Sequence, residues 1–175
     1  MATVRFLLAF LCIAALGERD VSGRDLLVAP KQALLEIARG ELGTRELSGK
    51  NDGPGIITYQ AAAGLKSGDP WCAAFVSWVF LKAGYPKPRT GWSPALFPAA
   101  RIKKIAAPGM LFGIYFPALK RIAHCGFVES LRGDWVITIE GNTNQAGARE
   151  GDGVYRKWRP HKSIYRFADW RDRND

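Results

Sequence analysis

Three positions in this sequence hold the parts of an acyl-transfer centre: Cys72, His124, and a third group from the pair Glu140 and Asn142. In such a centre a thiolate attacks a carbonyl carbon, and an imidazole takes up the thiol proton and later gives one to the leaving amine. A third side chain accepts the other imidazole N–H and fixes the tautomer. Glu140 would hold the imidazolium by charge and Asn142 by a neutral hydrogen bond, and the sequence leaves both open. Each piece has an ordinary reading when taken alone. A lone cysteine is usually a small buried hydrophobe, a lone histidine a structural or solvated residue, and Glu140-Gly141-Asn142 a strand end with satisfied polar groups. Cysteine at a buried helix start, then histidine on a strand, then a polar pair on the next strand is a far more specific pattern.

The elements around these residues are legible. Asp69-Pro70-Trp71-Cys72-Ala73-Ala74-Phe75-Val76-Ser77-Trp78-Val79-Phe80 reads as the opening of a helix that is apolar on every face and therefore buried. Asp69 is the expected N-cap, Pro70 suits the first helical position, and Lys82 and Gly84 mark the end. A cysteine in the first turn meets free backbone N–H groups and the positive end of the helix dipole, which favour thiolate over thiol. Arg121-Ile122-Ala123-His124-Cys125-Gly126-Phe127-Val128 reads as a strand, so alternation sends His124 and Cys125 to opposite faces. If His124 faces Cys72, Cys125 points away, and a disulfide between them is disfavoured. Trp135 to Asn144 forms the next strand, with Glu140 and Asn142 on one face if it stays extended. His161 falls in a charged turn, Arg159-Pro160-His161-Lys162. Cys72, His124 and Glu140 could also be three zinc ligands, but no pair has the short spacing typical of metal sites, and no metal or cofactor is expected.

The rest of the chain supplies a scaffold. A helix begins at Pro30, with Leu34, Ile37, Ala38 and Leu42 at helical spacing, and Gly43 ends it. Ser48 to Gly55 is a loop. Asn51 and Asp52 offer oxygens there, but without the carboxylate spacing of a calcium loop. Ile56 to Ala63 is a short helix whose Tyr59 belongs to the core, with Gln60 beside it. Tyr85 to Pro98, containing Trp92, is a long ordered connection of the kind that borders binding sites. Strands are expected over Met110–Phe116, Ile122–Ser130, Trp135–Glu140, Val154–Trp158 and Ile164–Phe167. Helices first and strands afterwards make a single α+β domain, with N-terminal helices packed on an antiparallel sheet.

With 175 residues the chain has room for one core, and 47% hydrophobic with 23% charged residues is an ordinary globular composition. Residues 1–17 read as a secretory signal, with Arg5 as the positive flank, Phe6 to Leu16 as the apolar region and Ala15-Leu16-Gly17 as the cleavage site. The apolar run is too short to span a bilayer. Residues 18–30 read as a linker and 31–175 as the domain. A secreted or periplasmic protein follows, without stable membrane insertion once the signal is removed. The leader carries one of the charges in the net +9, leaving +8 on the remainder. That balance favours anionic partners such as cell-wall polymer. No basic run interleaved with aromatics and no nucleic-acid motif occurs, so nucleic acid is not an expected partner.

At these residues the sequence resembles the CHAP amidase/peptidase domains of the larger papain-like NlpC/P60 group. The resemblance runs from about Leu34 to Trp170. It is carried by Pro70-Trp71-Cys72-Ala73-Ala74-Phe75-Val76-Ser77-Trp78, His124-Cys125-Gly126-Phe127-Val128 and Ile139-Glu140-Gly141-Asn142-Thr143, with support from Asn51-Asp52-Gly53-Pro54 and Arg149-Glu150-Gly151-Asp152-Gly153-Val154-Tyr155. It implies a papain-like fold and cleavage of peptidoglycan, either at the muramoyl–L-alanine amide or within the stem or bridge peptide. Carried over by position, Cys72 is the nucleophile and His124 the base, and Glu140 and Asn142 match the acidic and amide positions. Met110 stands where the family commonly has Asp, and Cys125 where Val is more usual. Other readings of the same residues are a papain-like acyltransferase or peptidase with another amide substrate, and a non-catalytic wall-binding domain. Intact Cys72, His124 and Glu140 speak against the last.

Overall fold

Three helices are followed by six strands, in a computed structural model that describes residues 31–146 and 151–171. The expected signal (1–17), the linker (18–30) and Arg149-Glu150 of the quoted motif lie outside the described residues. The helices are α1 (Lys31–Gly40), α2 (Pro54–Ala62) and α3 (Cys72–Lys82). The strands are β1 (Ile102–Lys103), β2 (Leu111–Phe116), β3 (Arg121–Arg132), β4 (Trp135–Thr143), β5 (Gly153–Pro160) and β6 (Arg166–Ala168). They form one antiparallel sheet in the order β1-β6-β2-β3-β4-β5. The α+β architecture read from the sequence is the one observed. β1 was not anticipated, since two residues are too few to show alternation.

The helix ends differ from expectation in instructive ways. α1 stops at Gly40, three residues before Gly43, because the chain is drawn off to pair with β5. The N–H of Gly43 donates to the Val154 carbonyl at 3.2 Å, and the N–H of Val154 donates to the Thr44 carbonyl at 2.9 Å. α3 begins at Cys72 with Trp71 as its N-cap, and not at Asp69. Asp69 spends its carboxylate on the preceding turn, accepting the N–H of Lys66 at 2.9 Å. At the other end, Gly84 behaves as predicted. It takes a positive φ of 77°, and the N–H groups of Gly84 and Tyr85 return to the carbonyls of Leu81 and Phe80 at 3.0 and 2.9 Å. This pairing is a Schellman stop, sealed by an edge-on contact between the Phe80 and Tyr85 rings.

α3 is the central packing element. Phe75, Val76, Val79 and Phe80 are fully buried, and with Phe127 of β3 and Ile139 of β4 they form the main core. Tyr59 of α2 sits in the same core, its ring 5.0 to 5.6 Å from those of Trp71, Phe75 and Trp78. A smaller cluster gathers Met110, Phe112, Val128, Val136 and Phe167. Two glycines set how closely the layers approach. A Cβ on Gly141 would lie 2.7 Å from the Trp71 ring and 2.8 Å from Phe75, so only glycine lets α3 seat on β4 at this height. A Cβ on Gly126 would lie 2.6 Å from the Ile139 carbonyl oxygen, so β3 and β4 also need a bare backbone there.

Candidate active site

Cys72 is the first residue of α3, and the helix start has no side-chain cap. The first-turn N–H groups of a helix lack intrahelical acceptors and carry the positive end of its dipole, so they converge where the Cys72 sulfur stands. The residue lines a cleft of about 280 Å³ together with Asp69, Pro70, Trp92, Ser93, Arg121 and Asn142. Ser93 opens a 3₁₀ turn, Ser93–Leu96, in the predicted connection, and its Oγ lies 3.4 Å from the Cys72 Sγ.

His124 arrives from β3, where a bulge inserts Ala123 between the Ile114–His124 and Tyr115–Ile122 pairs. Its ring is 1% exposed, and Nε2 lies 2.8 Å from Oε2 of Glu140, itself fully buried on β4. Nδ1 is also buried and has no hydrogen-bond partner among the described residues, which leaves it as the ring nitrogen for the Cys72 thiol. Glu140 is fixed from three sides. Besides His124, it accepts Thr138 Oγ1 at 2.5 Å and both Nε and Nη2 of Arg159, at 2.9 and 2.6 Å. All four groups sit in strands of one sheet, so their spacing is set by ladder hydrogen bonds and not by loops.

The electrostatics follow from these contacts. Burial opposes ionisation of Glu140, but Arg159 and then His124 outweigh it and hold the carboxyl at about 2. Burial likewise opposes the imidazolium, but Cys72 and Glu140 raise His124 to about 9. The Cys72 thiol is held well below its ordinary value, by a hydrogen bond from Cys125 first and then by His124 and Ser93, against burial. Burial, followed by the neighbouring Cys72, keeps Cys125 protonated. The shifts together favour a buried thiolate–imidazolium pair backed by an ionised carboxylate.

Cys72, His124 and Glu140 come together as the sequence pattern required. Asn142 does not join them at the histidine. β4 bulges between Glu140 and Thr143, Asn142 adopts a left-handed φ of 55°, and the alternation that would put both side chains on one face breaks. Assigned from its neighbours, the Asn142 amide accepts the Trp71 N–H at 2.9 Å and donates to the Gly151 carbonyl at 3.1 Å. It thus braces the residue before the nucleophile and lines the cleft. Of the two, Glu140 is the one bonded to His124.

Cys125 is a second correction. It does not point away from Cys72: both lie in the main core cluster as free thiols, and the two interact. His124 and Cys125 stay in regular register opposite Ile114 and Gly113, with the bulge on the far side of His124 at Ala123. Arg159 was read as part of a charged turn, yet it is a half-buried member of β5 that clamps Glu140. Lys157 and Arg159 do alternate opposite Thr138 and Val136 of β4, which is the signal that could have revealed it. Ser93 had no signal beyond its place in a Pro-rich connection.

Other candidates have structural duties. Tyr59 is core and donates its hydroxyl to Glu41. Gln60 Nε2 is committed to the carbonyls of Asn51 and Asp69, at 3.0 and 2.8 Å. Asp52 accepts both the N–H and the hydroxyl of Ser48. Among the described residues, no three His, Cys, Asp or Glu are grouped to hold a metal ion, and no helix is long and apolar enough to cross a membrane.

No family model matches the chain, and no curated protein matches it. Two solved structures resemble it. One is a crystal structure of Ly7917, at 16% identity and TM-score 0.44, covering 78% of this chain and 60% of that one. The other is Ly7917 with the hydrolyzing product of MDP, at 15% identity and TM-score 0.45, covering 79% and 62%. The chain thus spans less than two thirds of the length of either neighbour. Likeness at this level carries no inference about function.

Proposed function

We propose that the chain is an exported, CHAP-like cysteine hydrolase that cleaves an amide bond in bacterial cell-wall peptidoglycan. The observation that carries the reading is a Cys72 thiol at a helix start, beside a His124 whose far nitrogen is 2.8 Å from a fully buried Glu140, at the wall of an open cleft. A structural cysteine has no use for that arrangement. The choice of peptidoglycan rests on the motif resemblance at Cys72, His124, Glu140 and Asn142 and on the net positive charge.

The Cys72 thiolate adds to the carbonyl carbon of the amide. Negative charge moves to the carbonyl oxygen, where the backbone N–H groups at the start of α3 can receive it. The C–N bond breaks as His124 passes its proton to the leaving nitrogen, giving a free amine and a thioester on Cys72. Water then attacks the thioester with His124 taking its proton, and the acid product leaves as the thiolate re-forms. Glu140 remains ionised throughout and holds the imidazole in register.

The test is digestion of purified peptidoglycan by the full-length chain beside Cys72→Ala, with soluble products identified by mass. Fragments from the wild type alone, each cleavage adding one water, are the expected result. Equal release by both proteins, or wall binding without cleavage by either, would overturn it.

A further inference from the structure

The cleft above Cys72 is charged on its rim, and one charge is set in place. Arg121, the first residue of β3, lays its guanidinium over the ring of Trp92, 4.2 Å from the centroid. Both residues line the cleft with Cys72 and Ser93. Trp92 is 54% exposed, so the platform faces solvent. It is anchored from below: the Trp92 N–H donates to Thr90 Oγ1 at 3.0 Å, and Trp170 Nε1 donates to the carbonyl of Leu96 in the 3₁₀ turn that follows, at 2.8 Å. One Arg121 nitrogen donates to the Ile122 carbonyl at 3.1 Å. Among the described residues no carboxylate forms an ion pair with it.

We infer that Arg121, held over Trp92, is a specificity-determining residue that binds a carboxylate of the substrate close to the scissile amide. A guanidinium has five N–H donors in a planar fork that matches a carboxylate, and stacking on an aromatic face settles much of its side-chain freedom before a ligand arrives. Asp69 contributes a negative charge to the same lining, which discourages a carboxylate from binding near it and directs the acid group to Arg121. The cleft volume admits a few peptide atoms beside Cys72, so the recognised carboxylate lies within a residue or two of the bond that is cut. The substrate class is a peptide amide carrying a free acid near the cleavage point. This inference rests on the hydrolase reading above.

The experiment compares two forms of one substrate: peptidoglycan with its stem-peptide carboxylates free, and the same material amidated with carbodiimide and ammonia. The wild type should cut the free-acid form about 10- to 100-fold better in kcat/KM, with most of the difference in KM. Arg121→Gln should lose the preference and Arg121→Lys should keep part of it, while both variants fold as the wild type does by circular dichroism. Calorimetry of Cys72→Ala with soluble fragments of each form should show the same preference in binding. Equal cleavage of the two forms by the wild type, or an unchanged preference in Arg121→Gln, would overturn the carboxylate site and leave the hydrolase reading intact. No binding and no cleavage of either form would overturn both.

Discussion

Arg159 grips Glu140 by both carboxylate oxygens, Nε on Oε1 at 2.9 Å and Nη2 on Oε2 at 2.6 Å, and that same Oε2 receives Nε2 of His124. The carboxylate is therefore neutralised from behind while it orients the imidazole in front. Glu140→Gln would leave the Arg159 guanidinium without its buried counter-charge. The expected cost is roughly 3–5 kcal/mol in denaturant unfolding, with kcat lower by on the order of 10²- to 10⁴-fold. Arg159→Lys should retain part of both, because the charge remains and the fork is lost.

The stability profile with pH follows from the same groups. His124 is raised from 6.5 to about 9, so its contribution is complete below the unfolded value and is lost as pH rises through about 9. Glu140 is lowered from 4.5 to about 2, so its contribution is complete above the unfolded value and is lost as pH falls through about 2. Both contributions are whole between about 4.5 and about 6.5. Cys72, held below its ordinary value, gains stability with rising pH over the range in which His124 loses it, so the two offset. Thermal melts should show the acid limb set by Glu140 and only a shallow alkaline one.

Asn142 supports the nucleophile's helix and does not touch His124. Asn142→Ala removes the acceptor for the Trp71 N–H and puts a residue ill-suited to φ 55° into that position. A loss of about 1–2 kcal/mol is expected. Activity should fall much less than in Glu140→Gln, and the His124 titration followed by NMR should not move. A His124 shift as large as that in Glu140→Gln would contradict this placement.

Gly141 lets Trp71 and Phe75 reach the sheet. Gly141→Ala should push α3 away from β4 and cost about 1–3 kcal/mol. Because Cys72 rides on that helix, kcat should drop by more than the fraction unfolded explains.

Much of this architecture could be read in advance, and the failures have specific causes. Strands β2 to β6 carry β-branched or aromatic runs with turns between them, and the buried α3 is apolar on every face, so pattern alone located them. The nucleophile, the histidine and the carboxylate were legible for the same reason, since each falls in a well-marked element. Asn142 was misplaced because it lies in the bulge between Glu140 and Thr143, where a two-residue period no longer tells which way a side chain points. Arg159 was missed because Pro160, His161 and Lys162 look like a turn, and only the β4–β5 register shows that the arginine before them is still in the sheet. Asp69 looked like a cap because its type is right. The carboxylate had already been used one turn earlier, on Lys66.

The central claim is that Cys72 is a thiolate prepared by His124, and the pH dependence of its alkylation by iodoacetamide, followed by intact mass and peptide mapping, tests it most directly. Cys72 should react well below the pH an ordinary thiol needs and ahead of the buried Cys125, and His124→Ala should move that reactivity toward higher pH. A wild-type Cys72 that stays inert until pH rises toward 8.5, with no change in His124→Ala, would contradict the account.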